Sequence, residues 1–492
     1  MTSFFTAQFS GGMNEVLDPA LLDSSTAALL VNTDTENGKI SPIKMPRKLS
    51  ASNPEALQHF GKINRSTVKI YERTYWSIND AIAAPFYGGD EENYLGIPFP
   101  DYDRNVDIMQ VNNGHLTGKY KYCVTYVNVN GWESAPGDVL DYERSIILNN
   151  NQVVITVSWN DVRISYAKIY RTQNEGADFF CVGEIKVSGK SFTDNIDDYT
   201  LAGLEPLSTI DNYPPPDKGQ YLCESGSVFF LAVDSTLYFS AQGNPHAWPK
   251  LNFIGFDDVI TGIAPEFQGV LVFTANNAYR ITGAESAATL TKTLLPGNQG
   301  CVKYSSIAQI SNAPVWLSND GICLWDGENI NVISRKIINT VRLQVNCAAS
   351  ANDCYYLFLN DKTIRYDHRN GDIFSKLDFT CDYAWYDGKT DALYLQKADG
   401  IYVWGEGEKG TYTYKTGYIA LPESEYTFFK EVIITISGNA TVTLYNEDKV
   451  VFSVNIPEGK HRLKAPFNTV GRYAQVQISG NGTLKEIGVI YQ

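Results

Sequence analysis

The chain has 492 residues, enough for about three domains with a core in each. Its 55 acidic residues outnumber 40 Lys and Arg, and the net charge of -15 with no basic cluster excludes a protein that grips nucleic acid by displacing counterions. No apolar run approaches the roughly 18 residues of a membrane-spanning helix, and 31 Tyr and 23 Phe beside 4 Met favour strands. The same charge is compatible with surrounding DNA, because repulsion from an acidic wall lets the polymer slide.

The N-terminal "MTSFFTAQFSGG" has no basic segment followed by an apolar core, so no signal peptide is expected. Residues 1–50 read as an arm, and its Phe4, Phe5 and Phe9 are candidates for contact with a neighbouring subunit. Within residues 51–112, "NPEALQHF" (Asn53–Phe60) predicts a short helix with Asn53 as cap and Pro54 at its first position. Ser66–Asp80 reads as an aromatic hairpin able to add a sixth blade to a ring formed further along the chain.

Residues 113–209 change character. "GKYKYCVTYVNVNGWESAPG", "VVITVSW" and "YAKIYRT" alternate between turn residues, predicting seven or so short strands on the scale of a fibronectin type III-like sandwich. The prolines of "YPPPDKG" (Tyr213–Gly219) predict an extended connector that ends it.

Residues 210–415 carry a repeat. Val228–Ser240, Val270–Thr282, Pro314–Asp326, Tyr355–Asp367 and Leu393–Gly405 each run apolar strand, polar Asp/Asn turn, second strand. Equivalent positions Tyr238, Tyr279, Cys323, Ile364 and Tyr402 are spaced by 41, 44, 41 and 38 residues. That is the period of a four-stranded propeller blade, so the expected fold is all-β: a propeller of about five to six blades, with the sandwich inserted. Residues 416–492 alternate cleanly and predict a C-terminal β-sandwich.

The third repeat, "APVWLSNDGICLWDG", imitates two functional motifs. Its Trp325-Asp326 is the only such pair at this position of the repeat, unlike a WD array. Asp320 and Gly321 are adjacent, whereas a sialidase box needs a residue between them. It reads as a hairpin.

A search for chemistry assigns no catalytic, cofactor-binding or metal-binding residue. The five His have no metal-ligand spacing, and there is no HExxH, GxSxG, P-loop or GxGxxG. "DNIDD" (Asp194–Asp198) lacks the Gly and final Glu of an EF-hand, and "YDHRNGD" (Tyr366–Asp372) reads as a polar connecting loop. Eight Cys without a CxxC pair predict buried free thiols and assembly in a reducing cytoplasm.

The ordered series "FSGGMNEVLDPALL", "YLGIPFP", "YKYCVTYVNVNGWESAPG" with "IYRT", "LYFSAQGNPHAWP", "DDVITGIAPEFQGVLVFTANNAYRITG", "VWLSNDGICLWDG" and the closing "QVQISGNGTLKEIGVIY" resembles the tail hub or nozzle proteins of short-tailed bacteriophages (podoviruses). Those are also called packaged-DNA stabilisation or tail accessory proteins. The resemblance implies a virion tail protein, assembled in the bacterial cytoplasm as a homohexameric ring below the portal and its adaptor. DNA leaves through the channel without sequence-specific binding, and fibres, spikes or a plugging needle dock outside. It implies no cofactor and no membrane. His246 and Trp248 of "GNPHAWP" are candidates for rim loops. A carbohydrate-active or glycan-binding propeller of the tail and a cellular propeller scaffold remain as alternatives.

Overall fold

In a computed structural model the described residues are 2–49, 65–70, 73–78, 86–87, 94–138, 142–284, 289–339, 343–387, 390–419 and 426–492. The helix expected at Asn53–Phe60 lies outside them. The fold is all-β, and none of the described helices is long and apolar enough to cross a membrane.

Each repeated hairpin is the middle of a four-stranded antiparallel meander. The first runs Gln220–Ser225, Val228–Val233, Thr236–Phe239, Phe253–Gly255, and the second from Ile260–Glu266 to Thr291–Leu294. The third runs from Ala308–Ile310 to Ile330–Val332, and the fourth from Val345–Ala351 to Ile373–Leu377. The fifth takes three strands in sequence (Tyr383–Asp387, Ala392–Lys397, Gly400–Val403), but its fourth is Arg47–Lys48.

The hairpin turns are less uniform than their composition suggests. Among the five, only Asp234 takes a left-handed conformation (φ 51°). In the third and fifth the following glycines, Gly321 and Gly400, take φ 142° and 144° instead, so the Asp-Gly of "SNDGIC" matters through its glycine.

Two compact units are present: residues 1–63, 273–279 and 294–492, and residues 64–272 and 280–293. In the first, the opening strands of the third, fourth and fifth meanders pack in series. In the second, Arg65–Ile70, which opens a separate three-stranded sheet with Arg73–Ile78 and Phe86–Tyr87, packs against Gln220–Ser225; that strand packs in turn against Ile260–Glu266.

The first unit also contains the C-terminal sandwich, and here the structure departs from the expected domains. The fourth meander extends into a nine-stranded sheet through Ala27–Val31, Tyr412–Thr416, Ala474–Gly480, Ala440–Asn446 and Lys449–Ile456. The facing sheet joins Thr33–Glu36, Lys39–Pro42, Thr483–Tyr491, Thr427–Ser437 and Gly459–Lys464, with Thr2–Thr6 on Thr483–Tyr491. Val432, Ile434, Leu484, Ile487 and Val489 on one sheet meet Val442, Leu444, Val476 and Ile478 on the other.

The N-terminal segment is therefore not a free arm. Phe9 is 1% exposed and stands edge-on to Tyr414 at 5.3 Å, inside its own subunit's core, where no neighbour can reach it. Phe4 is half-buried against the same core. Phe5 is 55% exposed, with its ring beside the bare backbone of Gly488. Of the three candidates for inter-subunit contact, only Phe5 presents most of its surface.

In the second unit, the expected module has five described strands, not seven, in the order Phe179–Ile185, Ile164–Thr172, Val106–Asn128, Ser145–Val157, Lys190–Asp194. The 23-residue Val106–Asn128 pairs with Ser145–Val157 along its first part and with Ile164–Thr172 along its last. Asn113 (φ 67°) and Gly118 (φ 139°) mark an irregularity within this strand, and a Cβ at Gly114 would lie 2.1 Å from the Asn151 carbonyl carbon. In the sequence these glycines look like turns; in the fold they bend one continuous strand.

All eight cysteines are free thiols, seven of them buried. Burial pushes the Cys301 and Cys323 thiols up to about 12. Below the ordinary thiol value of 9.0 both folded and unfolded chains keep these protons. Above it only the unfolded thiols ionise, so stability is expected to decline as pH rises from about 9 to about 12, as urea midpoints across that range would record. Phe9→Ala is expected to cost about 3 to 5 kcal/mol and Phe5→Ala about 0.5 kcal/mol in urea unfolding.

Candidate functional site

Three sequence motifs that lie far apart in the chain converge in the second unit. "YLGIPFP", "YPPPDKG" and "GNPHAWP" line a hollow of about 270 Å³ whose walls include Phe99, Tyr213, Pro214, Tyr238 and Trp248, with Lys250 among its few polar groups. The Trp248 backbone N–H donates to Tyr213 O at 2.8 Å, and its indole Nε1 donates to Pro245 O at 2.9 Å. Tyr213 meets Phe99 edge-to-face at 5.7 Å and donates its hydroxyl to Gly137 O at 2.9 Å. The Lys250 ammonium sits 4.4 Å from the centre of the Tyr213 ring and pairs with Asp138.

His246 and Trp248, the candidates for rim loops, are both 4% exposed, so little of either side chain is presented at the surface. His246 Nδ1 accepts the Gly96 N–H at 3.1 Å, and its ring lies 3.6 Å from that of Trp132. Gly96 must be glycine: its φ is 84°, and a Cβ would lie 2.5 Å from Pro215 Cδ. Arg163 Nη1 donates to Gly96 O at 3.2 Å. The two residues thus clasp the five-stranded module, through Trp132 and Arg163, to the connector and the first meander. Chemically the hollow suits a flat apolar or proline-containing group, with a cation at its edge.

The polar motifs fold into buried networks. The "DNIDD" aspartates work separately: Asp194 is fully buried and pairs with Arg171 at 2.9 Å, Asp197 caps the short helix Asp198–Leu201, and Asp198 takes the other arm of Arg171 at 3.1 Å. Tyr122 adds a 2.7 Å hydrogen bond to Asp194, and Arg171 lies 5.0 Å from the Tyr120 ring centre. This satisfies a charge that would otherwise be prohibitive inside the module. Glu133 of "GWESAPG" likewise turns inward, accepting from Thr125 and Tyr170 at 2.6 Å and from Lys168 at 3.0 Å.

"YDHRNGD" is not a loose loop. Its first two residues end the Thr363–Asp367 strand, and Asp367 is 1% exposed. Burial raises the Asp367 carboxyl, but hydrogen bonds from Arg369 and the charge of Arg365 outweigh it and hold the group below its ordinary value. Arg365 also donates to Thr33 O at 2.9 Å and pairs with Asp34 at 3.3 Å, fastening the N-terminal strands to the fourth meander. His368 and Tyr366 both hydrogen-bond Asp372, at 2.7 and 2.6 Å. Among the described residues, no group of three or more His, Cys, Asp or Glu could hold a metal ion.

No protein-family profile matches the chain, and no curated protein sequence matches it. Among solved structures, similarity is found to BamB from Moraxella catarrhalis, at 10% identity and TM-score 0.30, over 73% of this chain and 99% of that one. Raptor from Chaetomium thermophilum is similar at 7% identity and TM-score 0.33, over 75% of this chain and 29% of that one. Such scores are too low to establish a shared topology, ligand or partner.

Trp248→Ala is expected to cost about 3 to 5 kcal/mol, because it opens a cavity and removes one wall of the hollow. The measurement is urea unfolding followed by fluorescence, paired with limited proteolysis, in which cleavage within Tyr213–Gly219 should accelerate.

Proposed function

We propose that the chain is a structural, non-enzymatic virion protein, the tail hub or nozzle subunit of a short-tailed bacteriophage. On this reading the consecutive meanders are blades of a β-propeller of five to six blades, and the Val106–Asp194 module is a fibronectin type III-like insertion. Six copies close a ring below the portal and adaptor, around the channel through which DNA leaves, and fibres, spikes or a needle dock on the outside.

The observation that carries the reading is the weaving of the N-terminal segment through the sheets. Arg47–Lys48 completes the last meander and Thr2–Thr6 lies along Thr483–Tyr491. Held in this way, neither of these edges can peel without breaking a ladder of backbone hydrogen bonds, which suits a wall that bears pressure and torque. The net charge of -15 supports the same role, since a lumen that repels DNA does not trap it. The order of short motifs along the chain supports it as well.

The test is mass photometry and electron microscopy of the purified protein, alone and with its adaptor ring. The expected product is a closed ring of six copies of the 54.7-kDa chain. A species that stays monomeric in both conditions would overturn the proposal.

A further inference from the structure

In the first unit, the ends of four strands enclose a shallow groove of about 470 Å³ on the C-terminal sandwich. The strands are Tyr412–Thr416, Ala474–Gly480, Ala440–Asn446 and Lys449–Ile456. Their register aligns Thr413, Ser479, Thr441 and Asn455 in one row across the sheet. The next row, Tyr412, Gly480, Ala440 and Ile456, has its three side chains buried and one glycine. A Cβ at Gly480 would lie 2.8 Å from Asn439 O and 2.9 Å from Ala440 Cβ, so glycine lets the strands pack closely at that row.

The lining is rich in amides and hydroxyls and lacks charge. Asn439, Asn455 and Asn481 supply carboxamides, Thr411, Thr441 and Ser479 supply hydroxyls, and no acidic or basic residue takes part. Asn455 Oδ1 accepts the Thr441 hydroxyl at 2.7 Å, and Asn481 Oδ1 accepts the Asn439 backbone N–H at 3.3 Å. Fixing the two oxygens leaves both Nδ2 groups, and the whole Asn439 carboxamide, without a hydrogen-bond partner among the described residues. Pro457 is exposed and adds small apolar surface beside them, while Ala440 and Ile456 face the sandwich core.

We propose that this groove binds a neutral oligosaccharide. Oriented carboxamide donors beside hydroxyls match the vicinal hydroxyls of a pyranose, and the exposed Pro457 ring offers an apolar contact for its C–H face. The absence of a cation in the lining disfavours phosphate, sulfate and uronate. With no carboxylate pair across the groove, the site holds the sugar without cleaving it. Its shallow, open form suits an internal stretch of a polysaccharide chain. Three or four neutral hydrogen bonds place single-site affinity in roughly the millimolar range. The site does not depend on whether the chain assembles as a ring.

The experiment is saturation-transfer NMR and calorimetric titration of the full chain with neutral hexasaccharides of glucose, galactose, mannose and N-acetylglucosamine, and with oligogalacturonate as the charged comparison. At least one neutral hexasaccharide should bind. Asn455→Ala and Asn481→Ala should each weaken it about five-fold or more, while Lys449→Ala, on the same edge strand but outside the groove, should leave it unchanged. Both asparagines are exposed, so unfolding is not expected, and circular dichroism checks this. The proposal is overturned if no neutral hexasaccharide binds up to about 20 mM, if the Asn455→Ala/Asn481→Ala double variant binds normally, or if oligogalacturonate binds more tightly.

Discussion

A sheet edge is a row of unsatisfied donors and acceptors, and much of this molecule is organised around covering such rows with distant parts of the same chain. Residues before 50 serve three separate sheets: they bridge the fourth meander to the sandwich, complete the fifth meander, and flank the last strand of the sandwich. The register there is fixed by side chains that leave no alternative. Phe9 must reach Tyr414, and Arg365 must reach Thr33 and Asp34, since slipping by one residue would turn each ladder's buried side chains to solvent.

Buried charge plays a second organising part. Arg171 and Arg365 are almost wholly enclosed, and each is neutralised by two aspartates from segments that are separate in the chain or in the fold. Ion pairs of this kind contribute little net stability compared with apolar packing, but they penalise any arrangement that separates the partners. They therefore define which strand ends meet, and they do so in both compact units.

The local parts of this architecture were legible in the sequence because they depend on neighbours. All five hairpins of the repeat fall on paired strands, since two short apolar runs around an Asp/Asn turn specify a hairpin almost unaided. Long-range partners were not legible. Nothing about "TSFFT" announces that it lies beside Ile487–Tyr491, and nothing about "GHLTGKY" separates a bent strand from two strands and a turn. The hollow was half legible: the proline- and aromatic-rich motifs stood out singly, but their convergence on His246 and Gly96 depends on the fold. The amide-lined groove left no local signal, because Asn439, Asn455 and Asn481 each resemble an ordinary turn residue.

The pairing of Thr2–Thr6 with Thr483–Tyr491 has a consequence for biosynthesis. Thr2–Thr6 is synthesised well before its partner strand, and at about 5 to 20 residues per second the delay is on the order of a minute. Throughout it, a strand carrying Phe4 and Phe5 lacks the partner it finally pairs with, and chaperones have a long opportunity to engage it. Chains interrupted before residue 483 lack the strand that would receive it, so the arrangement discriminates against chains cut short there.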